Sequence, residues 1–278
     1  MKISRVGVVA KLNSPEASKV SLDIGKFLKA KGVEVLYAGE PAHMAGKKAT
    51  PIEKMAVDLV LAVGGDGTVM HTAQKVGETP ILGVKVGALG FLCETTPETV
   101  RDALERVLSG RFYLEHKTKL KVKYKDMNLP DVLNEVLVTT SKPSKILSLS
   151  VLKDGAPLHR GKADGVIIST TTGSTAYALS AGGPIVDPQL DVMEVVFLCP
   201  LSAGLRPIIF PSSSTIEVRI LPEAASGIVV LDGQTTAPMD YDVPVLVERS
   251  DKSAIFVKVN PPEFYKRIRE KIKLGLEV

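Results

Sequence analysis

The sequence has no tryptophan, and aromatic residues make up only 5% of it. Its two cysteines, Cys93 and Cys199, both sit beside apolar residues. Two thiols cannot form a disulfide scaffold, and the four histidines lack metal-ligand spacing, so a structural zinc site is not supported. Both thiols read as reduced and buried, as in a cytoplasmic protein. Side-chain amides are scarce too: three Gln and four Asn stand against abundant Lys and Glu, the balance of a heat-adapted source. No apolar run approaches the ~20 residues of a membrane span, and "MKISRVGVVAKLNS" enters a strand pattern at once rather than a secretory leader. The formal net charge is +4, with no dense Lys/Arg block. That argues against nucleic acid as a partner and suits a phosphorylated small molecule. No internal repeat or low-complexity segment interrupts the chain.

The 278 residues are enough for two domains. Through residues 1–112, strand and helix signals alternate. "RVGVVA" (5–10), "VEVLYA" (33–38), "DLVLAV" (58–63) and "PILGV" (80–84) are short apolar runs. Between them, 14–32 reads as a helix, with Ser14 as N-cap, Pro15 in the first turn and Gly32 at the exit. Residues 69–77 and 96–110 read as further helices. This order predicts a parallel, doubly wound α/β sheet. From 113 to 260 the texture becomes β-rich, with strand patterns at 120–127, 132–140, 146–170, 214–222, 227–234, 243–249 and 253–259. "KDG" (153–155) marks a tight hairpin, and 199–207 reads as an irregular connection. Residues 261–278 predict a basic amphipathic helix docking back on the body.

Four stretches can carry chemistry. Gly64-Gly65-Asp66-Gly67-Thr68 follows a strand and opens a helix, where glycines admit phosphate to backbone amides and a helix N-terminus favours anions. It is neither a Walker A loop nor G-x-G-x-x-G. Asp66 is either functional or a turn aspartate capping the helix. A second glycine-rich loop, Gly83 to Leu92, also leaves a strand, and its Phe91 either stacks on a base or fills core. Asn134-Glu135 stands inside an apolar strand pattern, where alternation sends only one of the two outward. Either the other is buried and paired or faces a ligand, or both are solvated on an edge strand. Finally, "ADGVIISTTTGSTAYALSAGG" (163–183) runs from a strand into a turn dense in hydroxyls, suited to polyols and phosphates or to an elaborate helix cap. "LDGQ" (231–234) reads as a hairpin turn with Gln234 facing a site, and His159 as a surface residue.

Taken in order, GGDGT, GxxGFL, NE and DGVIISTTTGSTAYALSAGGPI resemble the NAD kinase family, which phosphorylates the adenosine ribose 2′-hydroxyl of NAD to NADP. GGDGT alone is shared with lipid kinases; the combination is specific, and it covers about residues 58–235. The resemblance implies an N-terminal Rossmann-like domain, a β-sandwich-like C-terminal domain and a homodimer or homotetramer. It also implies ATP or polyphosphate as donor, with a divalent metal, Mg²⁺, whose ligands stay unassigned.

By the same resemblance, Asp66 is the catalytic base. Gly67 and Phe91 contact the dinucleotide, and Asn134 and Glu135 bind it. Asp164 lies near the nicotinamide end, while Thr175, Ala176, Tyr177 and Ser180 hold the adenosine half. Thr172, Ala178, Leu179 and Gln234 join that site, as do His71, Lys145 and Lys162, where members carry basic residues. Gly64, Gly65, Gly67 and Thr68 form the donor-phosphate turn. The sequence departs from the family at Lys85 (usually Asn), Ala88 (often Arg) and Thr171 (often Pro), and Lys85 is a candidate new phosphate contact. Two other readings stay open: a GGDGT-type lipid kinase and a non-enzymatic NADP(H)-binding regulator.

Overall fold

A computed structural model describes residues 2–87, 90–142, 144–222 and 225–272. Ala88 and the last part of the predicted terminal helix lie outside them. The chain divides into two units, residues 1–116 with 254–278, and residues 117–253. Residues 254–260, grouped by their sequence pattern with the β-rich part, therefore run with the first unit.

The first unit carries β1 (Arg5–Ala10), α1 (Pro15–Ala30), β2 (Glu34–Tyr37), α2 (Glu40–Met44), β3 (Leu59–Gly64), α3 (Asp66–Lys75), β4 (Ile81–Lys85) and α4 (Val100–Leu108). Helix α1 starts where its sequence signals place it: the Ser14 side chain accepts from the Ala17 amide, and Pro15 opens the first turn. Strands β2-β1-β3-β4 pair in parallel, with Val6 beside both Val35 and Leu59, and Val60 beside Ile81. Strand β3 is buried along its whole length, as expected of a parallel strand covered on both faces. Each buried Val or Leu of this core contributes about 1.5–3 kcal/mol.

The chain then forms β5 (Tyr113–Tyr124), β6 (Met127–Val132), β7 (Glu135–Thr140), β8 (Leu147–Lys153), β9 (Ala156–Ala163) and β10 (Gly165–Thr170). A 3₁₀ turn (Gly173–Thr175) and the short α5 (Tyr177–Ser180) follow. Next come β11 (Val192–Leu198), β12 (Ile208–Pro211), β13 (Ile216–Ile220), β14 (Gly227–Leu231), β15 (Thr235–Met239), β16 (Val245–Lys258) and α6 (Phe264–Ile272). In the second unit, one antiparallel sheet runs β12-β11-β10-β7-β14-β15. Its inner face, with Val136, Val138, Val166, Ile168 and Val195, shares a core with Leu147, Leu149, Val151, Ile216 and Val218 from β8 and β13. This is the packed-sheet arrangement expected of a β-sandwich.

Several details correct the sequence reading. Strands β11 and β12 carry no clear strand signal in the sequence, because Glu194 interrupts the first and the second is only four residues long. The two patterns at 243–249 and 253–259 are one strand, β16. The pattern at 120–127 spans the β5–β6 turn, where Lys125 has a left-handed backbone. Helix α4 starts at Val100 rather than 96, because the Thr95, Thr96 and Thr99 hydroxyls bond one another before it. Cys199 is exposed, on a left-handed backbone, while Cys93 is buried as expected. His159 is half-buried rather than a surface residue, its ring edge-on to Phe197 at 4.8 Å.

Candidate active site

In the first unit, β3 ends at Gly64, Gly65 takes the N-cap position of α3 and Asp66 opens its first turn. Asp66 stands one residue past the N-cap. Its carboxylate accepts the Phe91 amide at 2.7 Å and the Leu92 amide at 3.1 Å, from the second glycine-rich loop. The negative charge at the phosphate turn is thus met by two fixed N–H donors and the positive end of α3. Gly90 makes this possible, since a Cβ there would fall on the Asp66 carboxylate.

The turn's other glycines play different parts. At Gly64 a Cβ would collide with the Thr68 side chain, which folds back over it. At Gly65 and Gly67 a Cβ would meet no atom of the described residues within 4 Å, and neither has a left-handed backbone. Among the described residues nothing demands glycine at these two positions; they keep space open beside the helix N-terminus. His71 is half-buried one turn further along α3. The Phe91 ring packs tilted against Phe264, centroids 6.5 Å apart, so its side chain has a packing role. Lys85 closes β4, half-buried, with its amide bonded to the Thr95 carbonyl.

In the second unit, Asn134 immediately precedes β7 and Glu135 is its first residue, and both are buried. Strand β7 is interior, between β10 and β14, which removes the edge-strand reading. The corner is held by Asp232, whose sequence signal is only that of a hairpin turn. The Asp232 carboxylate accepts the amides of Leu133 (2.8 Å), Asn134 (2.7 Å) and Glu135 (3.2 Å). Asp232 has a left-handed backbone, and Gln234 stands exposed in the same hairpin.

The hydroxyl-rich turn packs on this corner. The Thr170 amide donates to the Asn134 carbonyl at 2.9 Å, and the Thr170 hydroxyl to the Leu133 carbonyl at 2.6 Å. That hydroxyl also accepts the amides of Thr172 and Gly173. A Cβ on Gly173 would fall on the Asn134 carbonyl and the Ser169 hydroxyl. Ser174 donates to the Thr171 carbonyl and accepts the Val186 amide, fixing the far side of the turn. Thr172 and Thr175 are half-buried and bonded to each other, Thr175 hydroxyl to Thr172 carbonyl. Ala176 and Leu179 are half-buried, and Tyr177 and Ser180 exposed. Ala178 is buried against Ile167 and Val196, supporting the turn from beneath.

Asn134, Glu135, the 170–175 turn and the Asp232 hairpin therefore share one corner. Asp164 sits at the β9–β10 junction, exposed, its carbonyl accepting the Thr139 hydroxyl. Lys162 is exposed on β9 opposite Ser148, and Lys145 is exposed just before β8.

The electrostatics of this corner are unusual. Burial pushes the Glu135 carboxyl up to about 7, and the neighbouring charge of Asp232 adds to the effect. Its Oε2 is buried without a hydrogen-bond partner. Ser169 lies directly opposite Glu135 on one side and Glu194 on the other, so the three form a row across β7, β10 and β11. Glu194 is 1% exposed, both its carboxylate oxygens lack partners, and burial pushes it up to about 7 as well. The sequence signal for Glu194 was a lone acid inside "VMEVVFL". Among the described residues, no group of three or more His, Cys, Asp or Glu could hold a metal ion by itself, and no helix is long and apolar enough to cross a membrane.

The comparisons with known proteins agree on both units. Residues 6–112 match the family model described as the ATP-NAD kinase N-terminal domain, and residues 133–259 that of the ATP-NAD kinase C-terminal domain. The chain is 37% identical over 276 residues to an NAD kinase of Methanothermobacter thermautotrophicus, covering 98% of this chain and 97% of that one. It is 38% identical to an NAD kinase of Thermococcus kodakarensis, covering 97% and 99%. Among solved structures, a yeast NADH kinase complexed with NADH superposes with a TM-score of 0.91 at 25% identity, covering 100% of this chain and 90% of that one. An NAD kinase from Archaeoglobus fulgidus in complex with ATP gives 0.79 at 30% identity, covering 97% of each. The Rossmann-like first unit and the β-rich second unit are consistent with the fold of these enzymes, and the chain belongs to the NAD kinase family.

Proposed function

We propose that the protein transfers the terminal phosphoryl group of ATP or polyphosphate to the adenosine ribose 2′-hydroxyl of NAD, with Asp66 as general base. The observation that carries this reading is the Asp66 carboxylate, pinned by the Phe91 and Leu92 amides beside the open Gly65–Gly67 turn. The relatives support the ligands: the yeast structure holds NADH and the archaeal one ATP.

A ribose hydroxyl is a weak nucleophile at neutral pH. In the proposed step its oxygen attacks the terminal phosphorus and its proton passes to Asp66. The bond to the leaving phosphate oxygen breaks, releasing NADP and, with ATP, ADP. A positioned base contributes about 10²–10⁴-fold, and alignment with charge neutralisation supplies the rest. The amides at the start of α3 and the space beside Gly65 and Gly67 receive the donor phosphates. A single carboxylate without a protein cage suits Mg²⁺ arriving with phosphates; Asp66 would hold it, and it would neutralise their charge. Asn134, Glu135, Thr175, Ala176, Tyr177 and Ser180 bind the dinucleotide, where the Glu135 carboxyl is available to hydroxyl or amide donors.

Asp66→Asn tests the assignment, because it keeps the shape and removes the base. NADP formation should fall by about 10²–10⁴-fold while NAD still binds. A variant that turns over NAD at the wild-type rate would remove Asp66 from the chemistry. Parallel assays with ATP and with polyphosphate, each with and without Mg²⁺, identify the donor and the metal requirement.

A further inference from the structure

The loop that grips Asp66 is itself gripped from behind. Arg267, on α6, donates from Nη1 to the Phe91 carbonyl at 2.9 Å and to the Cys93 carbonyl at 2.7 Å. Phe264, one turn earlier on the same helix, packs on the Phe91 ring. One residue beyond Cys93, Glu94 accepts the amides of Val259 (3.0 Å) and Asn260 (2.8 Å), and it pairs with Lys258 at 3.2 Å. The segment 91–94 is therefore stitched to 258–267 by backbone, charge and ring contacts, all within the first unit. A cation between two carbonyls of one short loop fixes the orientation of the intervening peptides. The Phe91 carbonyl shares its peptide with the Leu92 amide, which points at the Asp66 carboxylate, and anchoring Phe91 also holds the residue whose own amide makes the second bond.

We propose that Arg267 is a positioning residue for the phosphoryl transfer: by holding the Phe91 and Cys93 carbonyls it sets the two amides that orient Asp66. The C-terminal helix is on this reading part of the catalytic apparatus, although none of its residues touches the reacting atoms. The proposal rests on Asp66 acting as the base. A guanidinium suits the role better than an ammonium, because its fixed planar donors span two acceptors.

The test is Arg267→Ala with Arg267→Lys, and Lys266→Ala as a control on the exposed face of α6. Three readouts are taken: kcat, KM for NAD, and amide hydrogen exchange at Phe91 and Leu92. Arg267→Ala should lower kcat by about 10–100-fold with KM unchanged. It should also speed exchange at those two amides. Arg267→Lys should fall between Arg267→Ala and wild type in both respects, and free guanidinium should restore part of the Arg267→Ala rate. Lys266→Ala should leave every readout unchanged. Unchanged exchange at Phe91 and Leu92 would overturn the proposal, and so would faster exchange with an undiminished kcat. If Arg267→Ala does not fold, Arg267→Lys supplies the same readings. If the wild-type protein makes no NADP, the proposed function fails, and the exchange measurements alone decide whether Arg267 sets the loop.

Discussion

Asp66 and Glu135 are both carboxylates at the mouth of a tight backbone corner, one in each unit, and the protein treats them in opposite ways. Asp66 receives two amide N–H groups directly, so its charge is the fixed object and the loop is built to hold it. At the other corner the amides go to Asp232, which fixes the backbone of Leu133, Asn134 and Glu135. Glu135 is left buried, with one oxygen unpartnered and a neighbouring like charge, and its carboxyl is pushed up to about 7. In the roles proposed for them, a base must be ionised and oriented before its substrate arrives, while a binding group can wait for the ligand to complete its hydrogen bonds. The difference lies in where the backbone amides point, not in the type of side chain.

The sharpest way to break the comparison is Gly90→Ala. Its Cβ would displace the Asp66 carboxylate while leaving the residue in place. We expect kcat to fall by about 10²–10⁴-fold, matching Asp66→Asn, with NAD affinity retained; steady-state kinetics beside calorimetric NAD titration would show it. Near-normal kcat would mean that the amide grip is irrelevant. The counterpart at the other corner is Asp232→Ala, which strands three amides at once. It should cost about 3–5 kcal/mol of stability and raise KM for NAD, read from denaturant melts and kinetics. A stability loss without a KM change would separate the anchor from the binding corner.

How far these corners were legible in sequence follows from the range of the interactions that build them. GGDGT could be read because strand end, glycine turn and helix start are neighbours in the chain. That Asp66 is held by amides 25 and 26 residues on could not, since nothing local couples the loops. The Asn134-Glu135 pair is legible, but strand alternation does not apply to it: Asn134 stands in a bend before β7 while Glu135 is the first residue of the strand, and both are buried. Asp232 was correctly placed in a turn, yet its carboxylate serves a segment almost a hundred residues earlier. Glu194 hid a strand, because a buried acid breaks the apolar run that marks one.

That acid gives a smaller effect, read against pH. Burial lifts Glu194 from the ordinary 4.5 to about 7 in the folded protein. The unfolded chain gives up this proton first, so the Glu194 contribution to stability is complete below about 4.5. It is lost as pH rises towards about 7. Glu194→Gln cannot ionise and should flatten that slope, by about 1–3 kcal/mol across the window; melting temperatures measured from pH 4.5 to 8 would test it. Unaltered pH dependence would mean that Glu194 finds a partner on ionising.

The smallest effect on stability is expected at Gly65, and it sharpens the contrast with Gly173. Gly173 lies against the Asn134 carbonyl and the Ser169 hydroxyl, so a methyl group there must disturb the fold. A methyl group at Gly65 meets no atom of the described residues within 4 Å, and its backbone is one that any residue adopts. Gly65→Ala should therefore leave stability within about 0.5 kcal/mol of wild type. It should nevertheless raise KM for the phosphate donor, because that methyl group would stand in the space proposed for the incoming phosphate. A stable variant with an unchanged donor KM would show that the open space beside α3 is not where phosphate enters, and the donor site would have to be sought elsewhere in the fold.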